Sequence, residues 1–172
     1  MLSSSDPTLL VIEDARVEAL LVRVAARRAI PGLDVRVAGD GHEGIAYLEG
    51  TAPFQDRRSH PFPDLVILDL IMPGIDGFGV LEWLRESKVP ARVPVVVLTG
   101  SEDPDHEGRS LALGATAFYR KPIGPEQSLA RVVRAIVEQY LGGGASEESS
   151  LDPTVLAALK DPSFRADHNE GA

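Results

Sequence analysis

The strongest constraint on the fold of this chain is the alternation of continuous apolar runs with segments of helical period. The runs TLLVIE (8–13), DLVILD (64–69) and VPVVVLT (93–99) are rich in branched residues and stand next to turn-forming residues. Such runs are typical of strands that are buried on both faces of a parallel sheet. Two shorter segments, DVRVA (34–38) and TAFYR (116–120), predict two further strands.

Helical periodicity separates the strands. Residues 14–29 predict a helix whose apolar face carries residues at i, i+3, i+4 and i+7: Val17, Leu20, Leu21 and Val24. Residues 125–141 show the clearest helical pattern, with Pro125 in the first turn. Shorter helices are predicted at 40–50, 77–87 and 106–114. Five strands alternating with five helices indicate an α/β fold, with helices on both sides of a doubly wound parallel sheet.

Composition and charge narrow the classes of function. The net charge is −9, which repels phosphate backbones and anionic lipid, so we expect no primary role on nucleic acid or on a membrane. The longest apolar runs are too short to span a bilayer, and the first residues do not resemble a signal peptide, so the expected location is the cytoplasm. The segment GGGASEESS (142–150) has the composition of a linker. We therefore expect one domain at 1–141, followed by a flexible linker and tail at 142–172.

Chemically active residues stand where the predicted strands end. The first strand is followed by Glu13 and Asp14, the third ends at Asp69, the fourth ends at Thr99, and Lys121 follows the fifth. Ligands of doubly wound sheets bind at this carboxyl edge. Clustered carboxylates repel one another, and an all-oxygen pocket suits a hard cation such as Mg²⁺. A carboxylate nucleophile beside Mg²⁺ and a lysine is the equipment for forming an aspartyl phosphate.

Four motifs in this order resemble the receiver domain of two-component response regulators: LLVIEDA, LVILDLIMPGIDG, VVVLTGS and AFYRKP. The resemblance covers about residues 8 to 141 and implies a flavodoxin-like fold and a place in a phosphorelay. It implies that Asp69 accepts a phosphoryl group from a sensor histidine kinase. It also implies a set of supporting residues: Glu13, Asp14, Asp69 and the backbone carbonyl of Ile71 for Mg²⁺, Thr99 and Lys121 for the phosphoryl group, and Phe118 with Thr99 for a conformational switch.

The resemblance extends to partners and assembly. The long loop before the third strand and the lack of a DNA-binding domain are similar to stand-alone regulators associated with bacterial phytochromes. This likeness implies a phytochrome-type kinase as the partner and a homodimer through the fourth helix, fifth strand and fifth helix. Family members also have a cis peptide bond at the position of Lys121–Pro122. No enzymatic activity is expected beyond the protein's own phosphorylation and dephosphorylation.

Two departures and two alternatives qualify this interpretation. Ile71 stands where many relatives have a polar residue that orients water, so we expect slow autodephosphorylation. Phe118 lacks a tyrosine hydroxyl, so its switch would be one of burial alone.

A phosphorylation-independent binding module of receiver fold would have lost a residue of the acidic pocket, and none is lost. A dehalogenase-like phosphatase needs a second aspartate at the position of Ile71, which excludes that class.

Overall fold

A single five-stranded parallel sheet forms the centre of the protein in a computed structural model that describes residues 6–87, 93–124 and 127–142. The expected Pro125, and the predicted linker and tail beyond Gly142, lie outside the described residues. The sheet order is β2-β1-β3-β4-β5. The strands are β1 (Thr8–Ile12), β2 (Asp34–Ala38), β3 (Leu65–Leu68), β4 (Val95–Thr99) and β5 (Ala117–Arg120). All residues of β1, β3 and β4 are buried, as their unbroken apolar sequences predict.

Helices cover both faces of this sheet, which confirms the predicted α/β fold. They are α1 (Arg16–Ala29), α2 (Gly41–Glu49), α3 (Gly77–Glu86), α4 (Asp105–Ala112) and α5 (Gln127–Leu141). One apolar cluster joins α1 and α5 to the sheet, and a second cluster joins α2 and α3 to its other face. Among the described residues, no helix has the length and apolar character needed to cross a membrane.

The buried face of α1 differs from the predicted one. Val17, Leu20 and Val24 are 69%, 47% and 39% exposed. The residues that face the sheet are instead Ala19, Val22, Ala25 and Ala26. The same apolar cluster already holds large side chains of α5, including Val133 and Ile136, and small alanines let α1 lie close to them. The larger apolar residues of α1 are thereby left on the surface.

A close approach at the start of α3 positions the residues that follow β3. A Cβ atom at Gly77 would lie 2.3 Å from the carbonyl oxygen of Asp69, so a side chain at this position would displace the backbone. The Gly77 amide donates a hydrogen bond to the Leu70 carbonyl at 3.0 Å. Asp76 caps the helix by accepting a hydrogen bond from the Gly79 amide at 2.8 Å. The chain after Asp69 is therefore anchored to a helix start.

The segment 50–63, here called the Arg57 loop, is held by hydrogen bonds to the end of α2. The Arg57 guanidinium donates to the carbonyls of Tyr47 and Leu48, each at 2.8 Å. The Tyr47 hydroxyl donates to the Pro61 carbonyl at 2.9 Å. Because carbonyls at a helix end lack partners within the helix, Arg57 acts as a C-terminal cap. It is a structural residue, whereas its neighbour Arg58 is exposed.

Candidate functional site

A pocket of about 330 Å³ opens at the carboxyl edge of the sheet. The ends of β1, β3 and β5 and the residues after β4 all contribute to it. Its lining residues are Glu13, Asp14, Ala15, Glu18, Asp69, Ile71, Gly100, Ser101 and Lys121. The convergence predicted from the strand ends is therefore found, with Thr99 buried directly beside the pocket.

Three carboxylates meet in this pocket. Glu13, Asp14 and Asp69 each offer an oxygen within 4.8 Å of the others. Glu13 and Asp69 are buried, at 4% and 6% exposure, while Asp14 is exposed. The Oδ1 atom of Asp69 is buried and has no hydrogen-bond partner in the part of the chain that the structure describes. Since buried polar atoms normally have partners, an unpaired carboxylate oxygen within an all-oxygen donor set fits a hard divalent cation such as Mg²⁺.

The Lys121 ammonium lies among these acids and is largely buried. Its Nζ atom donates hydrogen bonds to Glu13 Oε2 at 2.6 Å and to Glu18 Oε2. Asp69 Oδ2 lies 3.4 Å away. The Lys121 backbone amide also donates to the Thr99 carbonyl at 2.7 Å, which ties the lysine to the end of β4. Lys121 therefore offsets part of the negative charge of the pocket.

Burial and charge shift the acid–base properties of two of these groups. Burial raises the pKa of Glu13 above its usual value, and the neighbouring Asp69 charge adds to the rise against the opposing effect of Lys121. Burial acts to lower the pKa of Lys121, but its hydrogen bonds to Glu13 and Glu18 and the Asp69 charge raise it overall. Lys121 therefore stays a cation at neutral pH.

A second set of polar side chains adjoins the pocket after β4. The fully buried Thr99 accepts a hydrogen bond at Oγ1 from the Ser101 amide at 3.2 Å. Ser101 Oγ lies 2.6 Å from His106 Nδ1, and the His106 ring packs edge-on against Phe78 at 4.9 Å between centroids. This arrangement connects the pocket rim to the start of α4.

The remaining predicted site residues lie at two depths. Ile71 is on the rim of the pocket with its side chain 58% exposed. Phe118 in β5 is only 5% exposed, so its ring already points inward. The peptide bond between Lys121 and Pro122 is not cis, contrary to the expectation. The cis peptide bond among the described residues is Ala52–Pro53.

Sequence reasoning missed Glu18 and His106. Glu18 is in the first turn of α1, and it contacts Lys121, which follows it by 103 residues in the sequence. Its position four residues after Asp14, close to one helical turn, was an available signal. His106 carried no comparable signal, because its contact with Ser101 depends on how the chain turns between β4 and α4.

Comparison with known proteins identifies the family. The family model described as response regulator receiver domain matches residues 9–133. The probable methanogenesis regulatory protein FilR2 of Methanothrix harundinacea is 32% identical over 149 residues, which cover 85% of this chain and 92% of FilR2. The probable transcriptional regulator ycf27 of Porphyridium aerugineum is 37% identical over 125 residues, or 72% of this chain. The chain spans 45% of that relative and less than two thirds of several others.

Solved structures give the same fold. The phosphorylated cyanobacterial phytochrome response regulator RcpA matches with a TM-score of 0.74 at 27% identity, covering 81% of this chain and 97% of RcpA. The Mn²⁺-bound form of response regulator Rcp1 matches with a TM-score of 0.72 at 26% identity and the same coverages. The solved structures that resemble this chain thus include a phytochrome response regulator and a response regulator with Mn²⁺ bound.

Proposed function

The chain belongs to the response regulator receiver domain family, and from that premise we propose that Asp69 accepts a phosphoryl group from a sensor histidine kinase. The observation that carries this proposal is the unpaired, buried Asp69 Oδ1 atom among two further carboxylates and one ammonium. Since Oδ1 has no hydrogen bond from the described residues, one oxygen of this carboxylate can bind Mg²⁺ while the other acts as the nucleophile.

The transfer exchanges one bond to phosphorus for another. An Asp69 carboxylate oxygen forms a bond to phosphorus while the bond between phosphorus and the donor imidazole nitrogen breaks. Glu13, Asp14, Asp69 and the Ile71 carbonyl would hold Mg²⁺, which supplies positive charge to the phosphoryl oxygens. Glu13 is already held by hydrogen bonds from the Ala15 amide and from Lys121 before the donor arrives.

Lys121 and Thr99 are proposed to contact the phosphoryl group once it is on Asp69. Lys121 Nζ is already 3.4 Å from Asp69 Oδ2, so a short movement brings it to an added oxygen. The Thr99 hydroxyl accepts from the Ser101 amide and keeps its own proton to donate. Charge-assisted hydrogen bonds of this kind contribute about 1.5–3 kcal/mol each.

We propose that Thr99 transmits phosphorylation to Phe118. Movement of Thr99 toward the phosphoryl group would carry the loop after β4, including Ser101, inward. The Phe118 ring is buried in the described conformation, so the switch would operate between this inward ring and an outward one. A few kcal/mol of differential interaction is enough to shift such an equilibrium.

The exposed Ile71 side chain supports a long-lived phosphoryl group. An isoleucine at the pocket rim cannot donate or accept a hydrogen bond that orients an attacking water. Ile71→Asn is therefore expected to shorten the lifetime of the phosphorylated protein, measured as loss of label after the donor is removed. An unchanged or longer lifetime would contradict this role.

The kinase is proposed to dock around the pocket opening. Val17 and Ile123, at 69% and 77% exposure, follow Asp14 and Lys121 by three and two residues. Exposed apolar side chains beside a charged pocket suit a partner interface. The similarity to a cyanobacterial phytochrome response regulator and to a bacteriophytochrome response regulator supports a phytochrome-type kinase as the partner.

A homodimer through α4, β5 and α5 stays a prediction. In α5, Val132, Val133, Ile136 and Val137 are buried against the sheet and are not available to a second subunit. Leu111 of α4 is 45% exposed, and Tyr140 and Leu141 of α5 are partly buried, so this face still offers some apolar surface. Light scattering at tens of micromolar with and without phosphorylation tests the dimer, and a monomer under both conditions would contradict it.

The proposed function is tested by phosphorylation with acetyl phosphate. Intact-protein mass should rise by one phosphoryl group when Mg²⁺ is present, and EDTA should prevent the rise. Asp69→Asn should remove it, whereas Asp105→Asn, an exposed carboxylate of α4, should leave it unchanged. Full labelling of the Asp69→Asn variant would exclude Asp69 as the acceptor, and no labelling of the parent would favour the phosphorylation-independent binding module.

A further inference from the structure

Glu18 is an acid at the pocket that the proposed chemistry does not use. It lies outside the group formed by Glu13, Asp14 and Asp69. The contact that it makes in the structure is the hydrogen bond and ion pair with Lys121 Nζ. Its side chain is 42% exposed, whereas that of Lys121 is only 13% exposed.

An ammonium has three hydrogens to donate, and their distribution limits what Lys121 can bind. Glu13 and Glu18 take two of them, and the nearest Asp69 oxygen lies farther away at 3.4 Å. A phosphoryl group on Asp69 brings three strong acceptor oxygens into this space. Lys121 can donate its third hydrogen to the phosphoryl group, but an ammonium that moves closer to Asp69 than the present 3.4 Å lengthens its hydrogen bonds to the two glutamates.

The bond to Glu18 is the one that Lys121 can release most easily. Glu13 is 4% exposed, so leaving its carboxylate without the ammonium would cost a full desolvation penalty. Glu18 is partly in water, which can replace the lost hydrogen bond. Its position in the first turn of α1 also places the freed carboxylate at the positive end of the helix dipole.

We infer that Glu18 is a positioning residue that holds the Lys121 ammonium toward α1 and competes for it with the phosphoryl group on Asp69. This inference rests on the proposed phosphorylation of Asp69. Phosphorylation then releases Glu18 beside the exposed Val17, so the surface at the start of α1 changes with the state of the site. This route is separate from the one through Thr99 and Phe118.

The test uses beryllofluoride with Mg²⁺, which mimics a phosphoryl group on a carboxylate. Glu18→Gln keeps the shape of the side chain and removes its charge, and Glu107→Gln makes the same change in the first turn of α4. Glu18→Gln should tighten beryllofluoride binding by about two- to fivefold, the range expected for a partly exposed ion pair. Glu107→Gln should leave the affinity near that of the parent.

Amide hydrogen exchange in residues 16–20 gives a readout beyond affinity. In the parent and in Glu107→Gln, exchange in this turn should change when beryllofluoride binds. In Glu18→Gln it should differ before binding and respond little. Equal tightening in both variants would show an effect of net charge, and unchanged or weaker binding in Glu18→Gln would show that Glu18 does not compete. Either result overturns the inference, whereas a parent that binds no beryllofluoride overturns the proposed function instead.

Discussion

The acidic pocket and the Arg57 loop both place charged groups against the apolar core, but they differ in how fully the hydrogen bonds of those groups are satisfied. In the loop, the Arg57 guanidinium donates to the carbonyls of Tyr47 and Leu48 at hydrogen-bond distance. In the pocket, Glu13, Glu18 and Asp69 share the ammonium of Lys121, and Asp69 Oδ1 has no hydrogen-bond partner among the described residues.

From this difference we infer that the polar groups of the loop stabilise the fold, whereas those of the pocket bind a ligand. A buried polar group contributes to stability when its hydrogen bonds are satisfied, and it costs free energy when they are not. The loop contains an exception, since His60 Nδ1 is also buried with no hydrogen-bond partner among the residues described. His60 does not belong to this cluster of acidic residues, whereas the unpaired oxygen of Asp69 lies beside two other carboxylates.

Removal of Arg57 should give the largest change in stability. Arg57→Ala deprives the end of α2 of its cap and should lower the free energy of unfolding by about 2–3 kcal/mol. Urea denaturation measures this change, with Arg58→Ala as the control that should stay within about 0.5 kcal/mol of the parent. Phosphorylation of the folded Arg57→Ala protein should be retained. Equal stability of the two variants would show that the loop's hydrogen bonds do not support the fold.

Asp69→Asn should have the opposite effect: it should change the response to Mg²⁺ much more than the stability of the metal-free protein. The substitution removes one of three clustered carboxylates, while Lys121 keeps its bonds to Glu13 and Glu18. The free energy of unfolding in EDTA should rise, or fall by less than about 1 kcal/mol. In the parent, Mg²⁺ at about 100 times its Kd should add about 2.7 kcal/mol, and Asp69→Asn should lose most of this gain. A large loss of stability in EDTA would place Asp69 among the structural groups.

The pH dependence of stability should show a smaller effect from Glu13. The folded protein binds the Glu13 proton more tightly than the unfolded chain, in which the carboxyl titrates near 4.5. The contribution of Glu13 to stability therefore declines as pH rises above 4.5 and through the raised pKa. In EDTA, Glu13→Gln should remove this decline from urea midpoints measured between about pH 5 and 8. Parallel curves for parent and variant would contradict the cause assigned to the shift.

The sheet and most of the pocket could be predicted from the sequence because both follow from strand ends. Parallel strands bring Asp69 and Lys121 to one edge whatever the details of packing. Periodicity could not show which face of α1 is buried, because that helix carries both an alanine-rich stripe and a stripe of larger apolar residues. The contact of Glu18 with Lys121 and that of Arg57 with α2 depend on side-chain reach across the fold, which no local pattern encodes.

The most direct test of the account is to locate the phosphoryl group in the chain. Borohydride reduces an aspartyl phosphate to homoserine, so peptide mass spectrometry after reduction marks the residue that carried the group. The account predicts homoserine at position 69 in protein treated with acetyl phosphate and Mg²⁺, and at no position in EDTA. Homoserine at Asp14 or another carboxylate, with Asp69 unmodified, would contradict the proposal that Asp69 is the phosphoryl acceptor.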